Sequence, residues 1–439
     1  MSTWKLEWND KFRIENVVVV PAIAEYENIK RLLFLISKND SKYLKKTLVI
    51  FVVNNLPSST DDVKNDNKKS IDFLCSLLKS APLELENNLP LQKAVQIGLV
   101  DASSEGKELN EKTGGVGLAR KIGMDLGLTA FDYNSHKKKI ITSLDADCEV
   151  EKNYLSVINN SFNELNLNVA TIEFSHRADS HSELETISKY EIFLRHYVIG
   201  LFLAQSHFTY HTIGSAFVCD IDAYIKAGGM NTRRAAEDFY FLQKLAKVYS
   251  IFKINSTVVR PSARQSWRVP FGTGKSVTQL QNGERQFLLY DPQVFLVLKK
   301  WNELFYSNDS LNTELLLNKA KSIHTELYNF LIQKDFLTQW EKILGGSNSE
   351  RQLGYQRKNY FDAFTTLKLV HHLRDYAFPM KRIEPALNEL FKLLNYDFSG
   401  DEGFQTAENK LQNYLNALIQ IENSFSNSHK ERSRLVQTK

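Results

Sequence analysis

The sequence predicts an α/β fold followed by an all-helical region. Three observations carry this. Two short β-branched runs, Val17–Val20 and Leu48–Val53, flank a helical pattern. The amphipathic spacing between them reads as a crossover, which makes the strands parallel. From about Asp291 onward, helical periodicity takes over and glycine becomes sparse. The expected architecture is a mostly parallel sheet flanked by helices, with a helical C-terminal region.

The elements follow in order. Val17–Val20 closes at Pro21 and reads as a strand buried on both faces. Ile29, Leu32, Leu33 and Ile36 then fall at helical spacing, with Glu25 and Glu27 in the first turn, where the dipole favours acids. Leu48–Val53 is stopped by Asn54, Asn55 and Pro57. Ser58–Ser70 is polar and free of glycine, and is expected to be a solvated loop, with Ile71–Leu78 a short helix. Val95–Val100, Ile140–Leu144, Val169–Phe174 and a strand end at Val258–Val259 supply further strands. A helix follows Gly114, Gly115 and Gly117, and Tyr190–Ala204 reads as a buried helix. The expected domains are 1–290, with a polar insertion at about 56–94, and 291–439. The last helix is expected over Thr406–Ile421, with a frayed tail after Ser424. No internal repeat is evident.

Composition excludes several classes. A chain of 439 residues with 43% hydrophobic and 24% charged residues can bury a sizeable core. A net charge of +4 argues against a dedicated nucleic-acid binder. Three cysteines (Cys75, Cys148, Cys219) rule out a disulfide scaffold and fit a reducing compartment. No apolar run approaches the roughly 20 residues that span a bilayer, and the first twenty residues do not read as a signal peptide. A cytoplasmic protein is expected, with a peripheral membrane contact left open.

Chemistry concentrates in a few segments. Ser143-Leu144-Asp145-Ala146-Asp147 sets two carboxylates on one side of a strand end. Together they would repel, and a divalent cation with oxygen ligands, Mg²⁺ or Mn²⁺, resolves the conflict. The alternative is that they are loop charges. Asp220-Ile221-Asp222 is a second such pair, and Asp222 reads there as a helix N-cap stopped by Gly228-Gly229. Glu237-Asp238 opens an apolar helical pattern, where acids are favoured structurally, although a carboxylate there could also accept a proton from a sugar hydroxyl. Gly115-Val116-Gly117 and Gly272-Thr273-Gly274-Lys275-Ser276 lack the remaining glycines of phosphate loops. Arg260, Arg264, Arg268 and Lys275 punctuate a Pro/Gly-rich loop that either solubilises the surface or closes over a diphosphate. His207 and His211 read as satisfied histidines rather than ligands.

Taken in order, Val17–Glu25, Leu48–Asn55, Gly114–Gly123, Ser143–Asp147 and Gly228-Gly229-Met230-Asn231 through Glu237-Asp238 resemble the inverting nucleotide-sugar glycosyltransferases of family 2, with the GT-A fold. The resemblance covers residues 15–275. It implies that Pro21, Ala22 and Glu25 line the nucleotide pocket, with Asn54 near the base and Arg120 near the nucleotide or phosphates. It implies that Asp145 and Asp147 hold Mn²⁺ or Mg²⁺ on the donor diphosphate. Asp238 is similar to the general base, with Glu237 beside it, and Arg264, Trp267 and Arg268 resemble the loop that holds donor and acceptor. Two residues depart from the pattern: Ala24 stands where Asn is usual, and Asn54 where Asp is usual. A fuller Gln-x-x-Arg-Trp motif and membrane helices are missing, which fits a single-transfer enzyme.

The resulting expectation is a metal-assisted hexosyltransferase-like enzyme. It would pass a sugar from a nucleotide-diphosphate sugar to a hydroxyl of a glycan, lipid-linked or small-molecule acceptor. The rival readings are a non-catalytic nucleotide-sugar-binding or assembly protein, and a sugar-phosphate nucleotidyltransferase. The latter would show a glycine-rich loop after the first strand, where Pro21-Ala22-Ile23-Ala24 stands instead.

Overall fold

A computed structural model describes residues 4–10, 12–79, 94–178, 180–263, 287–307, 312–398 and 407–437. Nine strands form one sheet: β1 (Leu6–Trp8), β2 (Asn16–Ala22), β3 (Thr47–Asn54), β4 (Gln96–Ala102), β5 (Ile140–Ser143), β6 (Glu149–Val150), β7 (Val169–Phe174), β8 (Phe217–Asp220) and β9 (Phe252–Arg260). Their spatial order is β1-β4-β3-β2-β5-β8-β7-β9-β6. The block β4-β3-β2-β5 is parallel throughout. Antiparallel pairing places β1, β8 and β6 against the common direction of the remaining strands. Strands β2 and β3 are buried along nearly their whole length, as valine and isoleucine runs must be when both sheet faces are covered.

Helices α1 (Tyr26–Ser37), α2 (Ser41–Leu44), α3 (Asp61–Lys79), α4 (Val116–Gly127) and α5 (Tyr154–Glu164) accompany these strands. Helix α4 lies flush on the sheet because glycines face it. A Cβ at Gly123 would stand 2.4 Å from Val19, and one at Gly127 would stand 3.0 Å from Val17.

Two expectations about this part of the chain need correction. The polar stretch 58–70 is not a loop, since most of it forms the first half of α3. Its inward stripe is Val63, Asn67, Ser70, Leu74 and Leu77, a 3–4 spacing with polar residues inside it. The N-cap of helix α7 (Ile221–Lys226) is Asp220 rather than Asp222. Asp220 ends β8 in extended geometry and accepts from the Ala223 N–H at 2.9 Å, whereas Asp222 already lies inside the helix.

The chain divides into two compact units. The first is Met1–Glu183, Thr212–Leu245 and Tyr249–Ser276, and the second is Leu184–His211, Ala246–Val248 and Val277–Lys439. Most of α6 (His181–Leu203), which contains the expected Tyr190–Ala204 helix, thus belongs to the helical unit. Helix α8 (Glu237–Ala246) belongs to the first unit apart from its last residue.

The second unit carries α9 (Gln293–Phe305), α10 (Thr313–Ile323), α11 (Thr325–Gln333), α12 (Phe336–Gly345), α13 (Glu350–Tyr360), α14 (Ala363–Tyr376), α15 (Ile383–Leu393) and α16 (Ala407–Gln437). A two-stranded ribbon, β10 (Leu288–Leu289) with β11 (Lys381–Arg382), joins them. Trp301, Trp340, Phe305 and Phe336 form its aromatic centre. Gly200 lets α6 press on the Phe295 ring, where a Cβ would stand at 2.3 Å. Helix α16 continues to Gln437, past the expected end at Ile421.

Candidate active site

Strand order reverses between β2 and β5, and open α/β sheets bind ligands outside the carboxyl ends of strands at such a point. Val19 pairs with Ser143, so Pro21-Ala22 and Asp145 leave the sheet side by side. Strand β8 runs antiparallel to β5, with Phe217 opposite Ser143, which brings Gly214 and Ser215 to the same end.

Arg120 organises this point. It lies in the second turn of α4, is 2% exposed, and reaches two carboxylates. One guanidinium nitrogen donates to Asp145 Oδ1 at 2.5 Å and another to Glu237 Oε1. The two acids hold the Arg120 charge firmly, raising its pKa against the opposing effect of burial. Gly214 makes the room, since a Cβ there would stand 2.6 Å from the guanidinium. Gly117 lets α4 approach the segment before α8: a Cβ would stand 2.2 Å from the Arg233 carbonyl oxygen and 2.9 Å from Glu237. Gly117, in the first turn of α4, therefore serves close packing.

The acidic pair opens α8. The Glu237 main chain is held by Asn231, whose Nδ2 donates to the Glu237 carbonyl at 2.7 Å. Ala236, directly before it, has φ 56°, a left-handed conformation that costs an L-residue energy. Burial raises the Glu237 pKa, and Arg120 opposes the rise. Asp238 accepts from the Phe239 N–H at 2.7 Å. Burial and then the Glu237 charge push its carboxyl up to about 7. A carboxyl titrating there suits a general base at neutral pH.

The first strand turn repeats the motif. Ala24 has φ 51° and precedes the buried Glu25. Asparagine tolerates this conformation better than alanine, which gives the departure at Ala24 a physical meaning. Asn67 holds the turn: its Oδ1 accepts from the Ala24 N–H at 2.9 Å, and its Nδ2 donates to the Asn54 carbonyl and to Asn55 Oδ1. Asp66 accepts from the Tyr26 N–H at 3.0 Å. Glu25 accepts from Asn28 Nδ2 at 2.5 Å. The Asn54 amide donates to the carbonyls of Ala22 and Val52, both at 3.0 Å, tying the ends of β2 and β3 together.

The structure thus brings Arg120, Asp145, Glu237 and Asp238 together, with Pro21, Ala22, Glu25 and Asn54 at the neighbouring strand ends. Asp147 lies two residues past Asp145 and has Cys148 beside it. Arg264, Trp267 and Arg268 lie outside the described residues. His211 meets Glu422 at 2.7 Å in the second unit, as a satisfied histidine. Sequence reasoning missed Asn67 and Gly214, and gave Asn231 a place in the resemblance but no role. The 63-67-70-74-77 spacing could have revealed the first. Gly214 carries no local signal.

No family model matches the chain. No curated protein matches it. Among solved structures, the chain is similar to S. aureus TarS 1-349 in complex with UDP-GlcNAc, at 12% identity over 72% of this chain and 86% of that one, with a TM-score of 0.39. It is also similar to mannosyltransferase PcManGT from Pyrobaculum calidifontis in complex with GDP-Man and Mn²⁺, at 13% identity over 95% and 89%, with a TM-score of 0.33. At these scores the likenesses are distant. No helix among the described residues is long and apolar enough to cross a membrane.

Proposed function

We propose that the chain transfers a sugar from a nucleotide-diphosphate donor to an acceptor hydroxyl with inversion. The observation that supports this most is the joining of Asp145, Arg120 and Glu237-Asp238 at the switch point of the sheet. Asp238, poised near neutrality, takes the acceptor proton. The acceptor oxygen then attacks the anomeric carbon opposite the leaving diphosphate. Arg120 fixes Glu237, and with it the first turn of α8, relative to Asp145. Pro21, Ala22, Glu25 and Asn54 would face the nucleotide, and Arg264, Trp267 and Arg268 would help hold donor and acceptor.

Asp145 and Asp147 would supply the carboxylate oxygens for a hard cation. The described residues gather no group of three or more acids, histidines or cysteines around one, so substrate phosphates would have to complete the set. The Asp145 side chain is 37% exposed. Mn²⁺ or Mg²⁺ held there would neutralise the departing diphosphate.

The test is a thermal-shift screen of nucleotide sugars with and without Mn²⁺, followed by product analysis. The expected result is a metal-dependent rise with one donor, then nucleoside diphosphate release and an inverted anomeric product. Release of pyrophosphate would point to nucleotidyl transfer instead. Binding without transfer to any acceptor would point to a sensor.

A further inference from the structure

At the carboxyl ends of β2 and β3, the hydrogen bonds of three asparagines decide which polar group is left for a ligand. Asn54 ends β3 and is 6% exposed. Its Nδ2 donates to the carbonyls of Ala22 and Val52, both at 3.0 Å, so both amide hydrogens are engaged. Two carbonyl oxygens can face an amide nitrogen but not an amide oxygen, which gives the side chain one orientation only. Asn67 supports it from α3. Its Nδ2 donates to the Asn54 carbonyl at 3.0 Å and to Asn55 Oδ1 at 2.8 Å, while its Oδ1 accepts from the Ala24 N–H at 2.9 Å. Asn55 Nδ2 donates to the Leu56 carbonyl at 3.1 Å. Asn54 Oδ1 is the exception in this trio: no described residue donates to it, and it is not sealed in the interior. Asn54 therefore presents a ligand with an acceptor and no donor.

Strand order carries the sheet from β5 through β2 to β3, two strand spacings or about 10 Å. With a diphosphate at Asp145, the base on the far side of the ribose comes within reach of Asn54. Given the nucleotide-sugar reading, on which this selection rests, we propose that Asn54 Oδ1 selects donors whose base carries a ring N–H. Uracil and thymine present N3–H, and guanine presents N1–H. Cytosine and adenine present a bare ring nitrogen at the matching position. Set against Asn54 Oδ1, that nitrogen leaves two acceptors facing each other, both unpaired and out of water. The amide cannot turn to relieve this, because its oxygen would then oppose the Ala22 and Val52 carbonyls. A site built to accept a hydrogen bond rejects the analogue that lacks the donor.

The test uses the full chain with the diphosphates of uridine, thymidine, guanosine, cytidine and adenosine, with Mn²⁺ present, and reads binding by calorimetry and thermal shift. One of the first three is expected to bind best, with the cytidine and adenosine forms at least about tenfold weaker than it. The donor is then removed from the ligand rather than from the protein. Methylation at uracil N3, or at guanine N1 if guanosine diphosphate binds best, is expected to weaken binding by at least about tenfold. A methyl group at uracil C5, away from the ring N–H, is expected to change binding by less than about threefold. Asn54→Ala is expected to bring the preferred diphosphate and the cytidine form within about threefold of each other. Cytidine or adenosine diphosphate binding as tightly as the best of the others overturns the selection. So does full affinity for the N-methylated base, or a base preference that survives intact in Asn54→Ala. Equal binding by all five removes this selection and leaves the nucleotide-sugar reading standing, whereas binding by none removes both.

Discussion

Each unit buries an arginine between carboxylates, and the two clusters differ in what stays open. In the first unit Arg120 joins Glu237 to Asp145, and the Asp145 side chain is 37% exposed. In the second, Arg195 meets Glu422 at 2.5 Å and Glu191 at 3.6 Å, with His211 on the other Glu422 oxygen, and all four side chains are buried. The backbones differ too. Glu191 and Arg195 sit one turn apart on a regular helix, whereas Glu237 follows a left-handed alanine. Equal chemistry thus serves two ends. A closed cluster can only hold elements together, while an open one with strained backbone and a carboxyl titrating near 7 can meet a ligand.

The widest gap between the two should appear on removing the proposed base. Asp238→Asn is expected to lower turnover by about 10²–10⁴-fold while donor binding, read by thermal shift, persists. Near-normal transfer by this variant would remove Asp238 from the mechanism. In the closed cluster the loss should fall on stability alone. Arg195→Met strands buried carboxylates and is expected to cost about 3–5 kcal/mol in denaturant unfolding. A loss under about 1 kcal/mol would show that the cluster is not closed as described.

The two clusters should also separate by pH. The folded-state pKa of Asp238 is pushed up to about 7 from an ordinary 3.8. Folded protein therefore holds this proton more tightly than unfolded protein. The stability it contributes is full below about pH 3.8 and is lost as pH rises through about 7. Asparagine mimics the protonated form at every pH. Asp238→Asn should gain stability relative to wild type between pH 5 and pH 8, while wild-type turnover, if Asp238 is the base as proposed, rises over the same range as it ionises. A stability difference flat across that range would contradict the raised pKa.

Much of this frame was legible in the sequence, for physical reasons. Valine and isoleucine runs can only be buried strands, so β2, β3 and β5 were readable, as were the helical periods of the second unit. Asp145 and Glu237-Asp238 stood out through the ordered resemblance, since acids at a strand end or in a first helical turn are also favoured structurally. The polar composition of the first half of α3 masks its helical spacing, and Asn67 buries its amide to tie the turn at Ala24. Strands β1 and β6 are too short to show a period. The Arg120 bridge was unreadable in principle. Its partners lie 25 and 117 residues away, and only the tertiary fold brings them together.

The smallest expected effect tests whether strain marks the open cluster. Ala236 is exposed and left-handed at φ 56°. A left-handed L-residue costs roughly 1–2 kcal/mol, and glycine removes that cost while adding about 0.5–1 kcal/mol of unfolded-state entropy. Ala236→Gly should therefore stabilise the chain by about 0.5–1 kcal/mol, and a freer hinge before Glu237-Asp238 should lower turnover a few-fold. On α6, Lys189→Gly two residues before Glu191 should have the opposite sign, losing about 1 kcal/mol, because that backbone is regular helix. Chemical denaturation of both variants reads the two signs together. If Ala236→Gly destabilises, the φ value stores no strain. The open cluster would then differ from the closed one in exposure alone.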